Sequence, residues 1–311
     1  MTSQRPGKSG VADLGPQLTG SLAVRDRERL FFGEWLGEAP CLVAIHGLTS
    51  THRNFGAIAR ALGGRLRVVA PDLLGRGNSS TPAAGGYGME RHARDVLALM
   101  DSLEIERAIA IGHSMGAYVA TALAELSPER VAGVVLLDGG VYLAPSAAAE
   151  LDPEALMAVV LGPVVARLGM SFATVDAYLD YWRESPYFAD AWGPIPEDYV
   201  LYDLGRRGRH FASKCDSVAA AEDWRDLVTN DASRARLSRL RCPVLAIGAE
   251  SGLAKGQPAV LGEPHFAVLR SAVPNVKCVQ VANTAHHTIA LSEHGAQAVA
   301  RAVLELSAGA R

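Results

Sequence analysis

Ala108-Ile109-Ala110-Ile111-Gly112-His113-Ser114-Met115-Gly116-Ala117-Tyr118-Val119-Ala120 is the stretch on which the fold turns. Four apolar residues run straight into a G-x-S-x-G pentapeptide, and an apolar helical pattern resumes immediately after it. A serine on so sharp a strand-to-helix turn needs minimal side chains two positions to either side, because the backbone is crowded where the hydroxyl must project above a sheet. The N-terminus of the following helix adds N–H donors and positive potential beside the serine oxygen. Ser114 is therefore a candidate nucleophile.

Working outward, short continuous apolar runs of the kind a doubly covered strand shows recur at 41–45, 66–70, 131–137, 243–247 and 276–281, with an earlier strand over Arg29 to Trp35. Amphipathic stretches of helical length fill the gaps at 55–62, 89–103, 117–126 and 292–306. Strand and helix in repeated alternation predict an α/β fold with a mostly parallel sheet flanked by helices. The alternation stops between Leu137 and Val244, where helical periodicities run for about a hundred residues without a buried strand. This reading divides the chain into an N-terminal tail over 1–20, an α/β core over 21–138 and 241–311, and a helical cap over 139–240. The cap carries twelve of the nineteen aromatic residues. Placed after a sheet strand, it is expected to lie over the carboxyl ends of the strands, where open α/β sheets bind ligands. Trp182 and Trp192 become candidate pocket residues.

The serine turn does not stand alone. His46-Gly47-Leu48-Thr49 follows the second apolar run, and Pro71-Asp72-Leu73-Leu74-Gly75-Arg76-Gly77-Asn78-Ser79 follows the third. With the G-x-S-x-G turn these resemble the α/β-hydrolase superfamily, over nearly everything from about residue 28 to 307. The resemblance implies that the backbone N–H groups of Leu48 and Met115 form an oxyanion hole. It implies a catalytic base in a late loop, where Asn283-Thr284-Ala285-His286-His287 offers two histidines. The family pattern favours His286, with His287 lining the pocket. Asp72 reads as scaffold, its carboxylate tying down the N–H groups of its glycine-rich turn. The remaining histidines away from these motifs, His52, His92, His210, His265 and His294, fall on predicted loops or helix surfaces.

The acid of the triad departs from the common pattern. Most relatives place it three residues beyond a glycine after the strand that follows the cap, and that position here is Ser251, with Glu250 one residue early. A second carboxylate ends the strand after the serine helix: Val134-Val135-Leu136-Leu137-Asp138-Gly139-Gly140. Certain haloalkane dehalogenases and lactonases of the superfamily place the acid at this strand end. An aspartate there lies at the carboxyl edge of the sheet beside Ser114, so Asp138 is preferred to Glu250.

Ser114, Asp138 and His286 together predict hydrolysis of a carboxylic ester or lactone through an acyl-enzyme. Serine in place of aspartate as nucleophile disfavours the alkyl-enzyme chemistry of dehalogenases. Two alternatives stand beside it: carbon–carbon bond hydrolysis by the same triad, with Arg206, Arg207 and Arg209 as possible carboxylate partners, and ligand binding on a hydrolase scaffold. No cofactor or metal is expected, since no G-x-G-x-x-G opens the first helix and the four cysteines show no zinc spacing. Thirty Lys and Arg against 33 Asp and Glu leave a net charge of −3, which argues against a nucleic-acid partner. No apolar run reaches the roughly 18 residues of a membrane span. A small-molecule substrate and a cytoplasmic setting are the expectations, with oligomeric state left open.

Overall fold

The computed structural model describes residues 14–24, 28–83, 85–141, 152–188, 191–230 and 232–309. The core runs β1 (Leu18–Ala23), β2 (Arg29–Trp35), β3 (Cys41–Ile45), α1 (Gly56–Leu62), β4 (Arg67–Asp72), α2 (Met89–Ser102), β5 (Ala108–His113), α3 (Met115–Leu126) and β6 (Val131–Leu137). An insertion follows: α4 (Pro153–Ala166), α5 (Val175–Arg183), α6 (Pro194–Asp203), β7 (Leu204–Arg207), β8 (His210–Ser213), α7 (Ser217–Thr229) and α8 (Ala232–Leu237). The core then resumes with β9 (Val244–Ala249), α9 (Glu263–Ala272), β10 (Lys277–Val281), α10 (Thr288–Leu291) and α11 (Glu293–Gly309).

Eight strands form one sheet in the order β1-β2-β4-β3-β5-β6-β9-β10. β1 and β2 pair antiparallel, as do β2 and β4, and the other neighbours are parallel. Every residue of β3, β5, β6 and β9 is buried. Period-two geometry sends alternate residues to opposite faces. Val43, Ala110 and Val134 join the core under α2 and α3, while Leu42, Ile109 and Val135 join the one under α1 and α11. This is why those strands read as unbroken apolar runs.

The order β4-β3-β5 puts a change of direction at the centre of the sheet: the chain leaves β3 toward one side and returns to its other side as β5. Loops that follow adjacent strands diverge there and leave a crevice at the carboxyl ends. The loops bearing Leu48 and Ser114 both open onto it.

Two differences from the sequence reading concern boundaries. The strand β1 starts at Leu18 and Leu14 is buried, so the last residues of the stretch 1–20 expected to be a tail belong to the fold, and residues 1–13 lie outside the described ones. The insertion contains the antiparallel pair β7–β8, whose four-residue strands are too short and too exposed to leave a buried-strand signature. No helix among the described residues is long and apolar enough to cross a membrane.

Candidate active site

Ser114 lies between β5 and α3 with φ 57° and ψ −122°, a conformation that L-residues other than glycine seldom adopt. Its N–H donates to the Leu137 carbonyl at 2.9 Å, which fastens the turn to the end of β6. The flanking glycines are required by close approach: a Cβ on Gly112 would strike the Gly116 carbonyl, and one on Gly116 would strike the Ile45 carbonyl. The strained serine is thus held by three strands whose backbones leave no room for side chains.

Asp138 ends β6, fully buried and also at positive φ (45°). One carboxylate oxygen accepts the Ala249 N–H at 2.9 Å; the other accepts His286 Nδ1–H at 2.7 Å. His286 follows β10, and its own N–H is tied to the Gly252 carbonyl at 2.9 Å. With Nδ1 committed to Asp138, Nε2 is the nitrogen left for proton transfer. Ser114 and His286 line the same two cavities. Glu250 is exposed and accepts the Asn283 N–H at 2.7 Å, bracing the turn before the histidines rather than meeting an imidazole.

The loop after β3 is pinned by its carbonyls. The Gly47 carbonyl accepts from His46 Nδ1 at 2.8 Å, while His46 Nε2 accepts the Leu73 N–H at 2.9 Å. Burial holds His46 neutral, its pKa lowered to about 3. Arg76 Nε donates to the Leu48 carbonyl at 2.9 Å, and Arg167 Nη2, from the insertion, donates to the Thr49 carbonyl at 2.8 Å. Both arginines are fully buried and paired, Arg76 with Asp223 at 2.7 Å and Arg167 with Asp203 at 3.0 Å. Two guanidinium groups thus fix the carbonyls of the loop that carries the Leu48 N–H. Sequence reasoning missed both, because the partner acids lie far along the chain.

Two cavities meet at Ser114. The larger, about 320 Å³, is mainly apolar, lined by Tyr118, Val141, Val160, Trp224 and Leu227 together with the half-buried His265. The smaller, about 40 Å³, lies along the loop after β3 and includes Asn54, His113, Tyr199 and His287. His287 is where the sequence reading expects it, its ring against Tyr187, Phe188 and His286. Trp182 and Trp192 are not. Trp182 is buried among Tyr178, Phe188 and the Arg167 guanidinium, and Trp192 packs on Phe188 and Arg183, so among the described residues the tryptophan at the cavity is Trp224. An edge-to-face cluster gives the cap a core of its own, and a ring consumed there cannot also line a pocket.

Asp72 occupies a scaffold position. Its carboxylate accepts from the His52 N–H (2.8 Å), His52 Nδ1 (2.9 Å), the Asn78 N–H (3.0 Å) and the Tyr202 hydroxyl (2.7 Å). Burial alone would raise its pKa, but the His52 charge and these donors outweigh that and bring it down to about 2. His52 and His92 correct the sequence reading: both are buried rather than on loop or helix surfaces, and each meets a carboxylate. Arg206, Arg207 and Arg209 belong to the exposed β7–β8 hairpin and line neither cavity.

Residues 40–292 match the family model described as alpha/beta hydrolase fold. The chain belongs to that family. Relatives include a 3-hydroxybutyrate-oligomer hydrolase of Cupriavidus necator, 41% identical over 122 residues, covering 38% of this chain and 42% of that protein. Haloalkane dehalogenase 2 of Mycobacterium tuberculosis is 36% identical over 100 residues, covering 32% of this chain and 35% of that one. These matches span less than half the length of either relative. Among solved structures, E-2-(acetamidomethylene)succinate hydrolase superposes with a TM-score of 0.74 at 23% identity, over 93% of this chain and 98% of that one. A thermophilic esterase from Thermogutta terrifontis gives 0.65 at 21%, over 94% and 99%. At such identities the structures attest the fold.

Proposed function

We propose that this hydrolase cleaves a carboxylic ester or lactone through an acyl-enzyme on Ser114. The observation that carries the reading is the 2.7 Å hydrogen bond from His286 Nδ1 to the buried Asp138, made by a histidine that shares its cavities with Ser114. Ser114 Oγ attacks the carbonyl carbon as His286 Nε2 takes its proton. The Leu48 and Met115 N–H groups stabilise the oxyanion, and Asp138 stabilises the imidazolium. Collapse breaks the ester C–O bond, and His286 returns the proton to the departing alkoxide. Water then repeats the sequence, releasing the acid and restoring Ser114.

The relative named for hydrolysing 3-hydroxybutyrate oligomers makes esters of short hydroxy acids apt first substrates. Carbon–carbon cleavage of an acidic ring-fission product is less well served, since no lysine or arginine among the described residues lines either cavity at Ser114. The test is 4-nitrophenyl butyrate turnover by the wild type, Ser114→Ala and His286→Ala. Each substitution is expected to lower kcat at least about 10³-fold with the circular dichroism spectrum unchanged. Wild-type rates in Ser114→Ala would refute the assignment.

A further inference from the structure

The small cavity beside Ser114 has a chemical character that ester cleavage alone does not call for. Three residues that line it, the buried Asn54 and His113 and the part-buried His287, carry buried side-chain nitrogens with no hydrogen-bond partner among the described residues: Asn54 Nδ2, His113 Nδ1 and His287 Nδ1. Buried polar atoms in native proteins are nearly always satisfied, so three unpaired nitrogens around one cavity next to a nucleophile call for a ligand. The Asn54 amide nitrogen is a donor. His113 Nε2–H donates to the His286 carbonyl at 2.9 Å, which leaves His113 Nδ1 with a lone pair and makes it an acceptor.

Burial and the neighbouring imidazoles hold the pKa of His113 well below its ordinary value, and burial, His286 and Arg167 do the same to His287. His113 and His287 are therefore uncharged. A carboxylate would find a lone pair at His113 and no lysine or arginine among the lining residues. An ammonium would find no carboxylate among the lining residues. A hydroxyl both donates and accepts, and a volume of about 40 Å³ suits one such group.

We infer that this cavity is a hydroxyl-recognition subsite, in which Asn54 Nδ2 donates to, and His113 Nδ1 accepts from, a hydroxyl group carried by the ester close to its scissile bond. The inference rests on the ester reading and adds the substrate class: a hydroxylated ester with the remainder of its chain in the larger apolar cavity. The hydroxyl can belong to the acyl or the alcohol half, and the two are separable.

The experiment compares kcat/KM for two ester pairs, each with and without the hydroxyl: 4-nitrophenyl 3-hydroxybutyrate against 4-nitrophenyl butyrate for the acyl half, and 3-hydroxybutyl butyrate against butyl butyrate for the alcohol half. The wild type is expected to prefer the hydroxylated member of one pair about ten-fold, and that pair names the side. In Asn54→Leu and in the smaller Asn54→Ala the ratio falls to near one. Because Leu replaces an amide whose nitrogen is buried and unpaired, Asn54→Leu should melt no lower than the wild type, whereas an amide needed for the fold would lower the melting temperature. Ratios near one for both pairs in the wild type, or a preference that survives in both variants, would overturn the subsite while leaving the ester reading intact. A wild type that turns over none of the four esters would refute the ester reading and the subsite with it.

Discussion

Three buried carboxylate–imidazole pairs occur among the described residues, in two regions. At the carboxyl edge of the sheet Asp138 meets His286 at 2.7 Å; along the seam between core and insertion Asp72 meets His52, and Asp223 meets His92, both at 2.9 Å. By distance and burial alone the three are alike. They differ in what surrounds them. The seam carboxylates are saturated: Asp72 serves a turn and the Tyr202 hydroxyl as well as its histidine, and Asp223 also takes the Gly88 N–H at 2.7 Å and the Arg76 guanidinium. Their imidazoles are enclosed, His52 among Phe31, Trp35 and Tyr202, and neither lines a cavity with Ser114. Of the three, His286 alone lines cavities with the strained serine. On the proposed mechanism, what separates a catalytic aspartate–histidine pair from a structural one is the cavity that its imidazole lines.

The sharpest way to break this comparison is to neutralise each carboxylate in turn. Asp138→Asn removes the charge that stabilises the imidazolium during attack and alters which nitrogen carries the proton, so kcat for 4-nitrophenyl butyrate should fall by about 10³ to 10⁴ with the fold retained. Glu250→Gln, remote from the imidazole, should stay within about two-fold. Reversed outcomes would move the acid to the loop after β9 and make Asp138 a strand-end residue that only satisfies the Ala249 N–H.

At the seam the larger effect should be on stability. Asp223→Asn leaves Arg76 buried without its counter-charge, and breaking such a pair costs about 3–5 kcal/mol. Urea unfolding should show that loss, while kcat falls less than ten-fold. Acid should reveal the same region. Burial would raise the Asp223 carboxyl, but His92 and Arg76 outweigh it and hold it at about 2, as His52 does for Asp72. Both lie below the ordinary 3.8, so the unfolded chain binds more protons between these values and stability drops as pH falls through them. His46 acts earlier: held neutral to about 3 against an ordinary 6.5, it favours the unfolded state progressively as pH falls from 6.5 to 3. The wild type should lose stability throughout that range. Replacing the imidazole by an amide in His46→Gln should flatten the curve between pH 6.5 and 4, and an unchanged slope would remove His46 from the account.

The same contrast explains what could be read without coordinates. The sheet was legible because β3, β5, β6 and β9 are covered on both faces, and continuous burial writes a continuous apolar run. Asp138 was legible as the polar residue that ends one of those runs before two glycines. His52 and His92 were not: their partners lie 20 and 131 residues away, and a histidine on a turn or helix carries no local mark of the acid that folding brings to it. Asn54 was likewise invisible, since the meaning of its amide comes from a cavity shared with residues of three other loops.

The insertion offers the smallest and most discriminating test, because its aromatic density marks its position over the sheet without saying which ring faces the substrate. Trp224 lines the larger cavity with its indole N–H held by the Pro153 carbonyl at 2.8 Å, a ring anchored at one end and presented to the cavity. Trp192 packs on Phe188 and Arg183, outside both cavities. Trp224→Ala should widen the apolar cavity and change the ratio of kcat/KM for hexanoate over acetate esters several-fold, in the direction of longer chains, whereas Trp192→Ala should leave it within two-fold. Trp182→Ala should act on folding instead, lowering stability by about 3–5 kcal/mol, since its ring fills the centre of the cluster. A panel of 4-nitrophenyl esters and one denaturation curve per variant separate these outcomes. Selectivity that moves with Trp192 and not with Trp224 would place the pocket beside Trp192 rather than at the cavity that Trp224 lines.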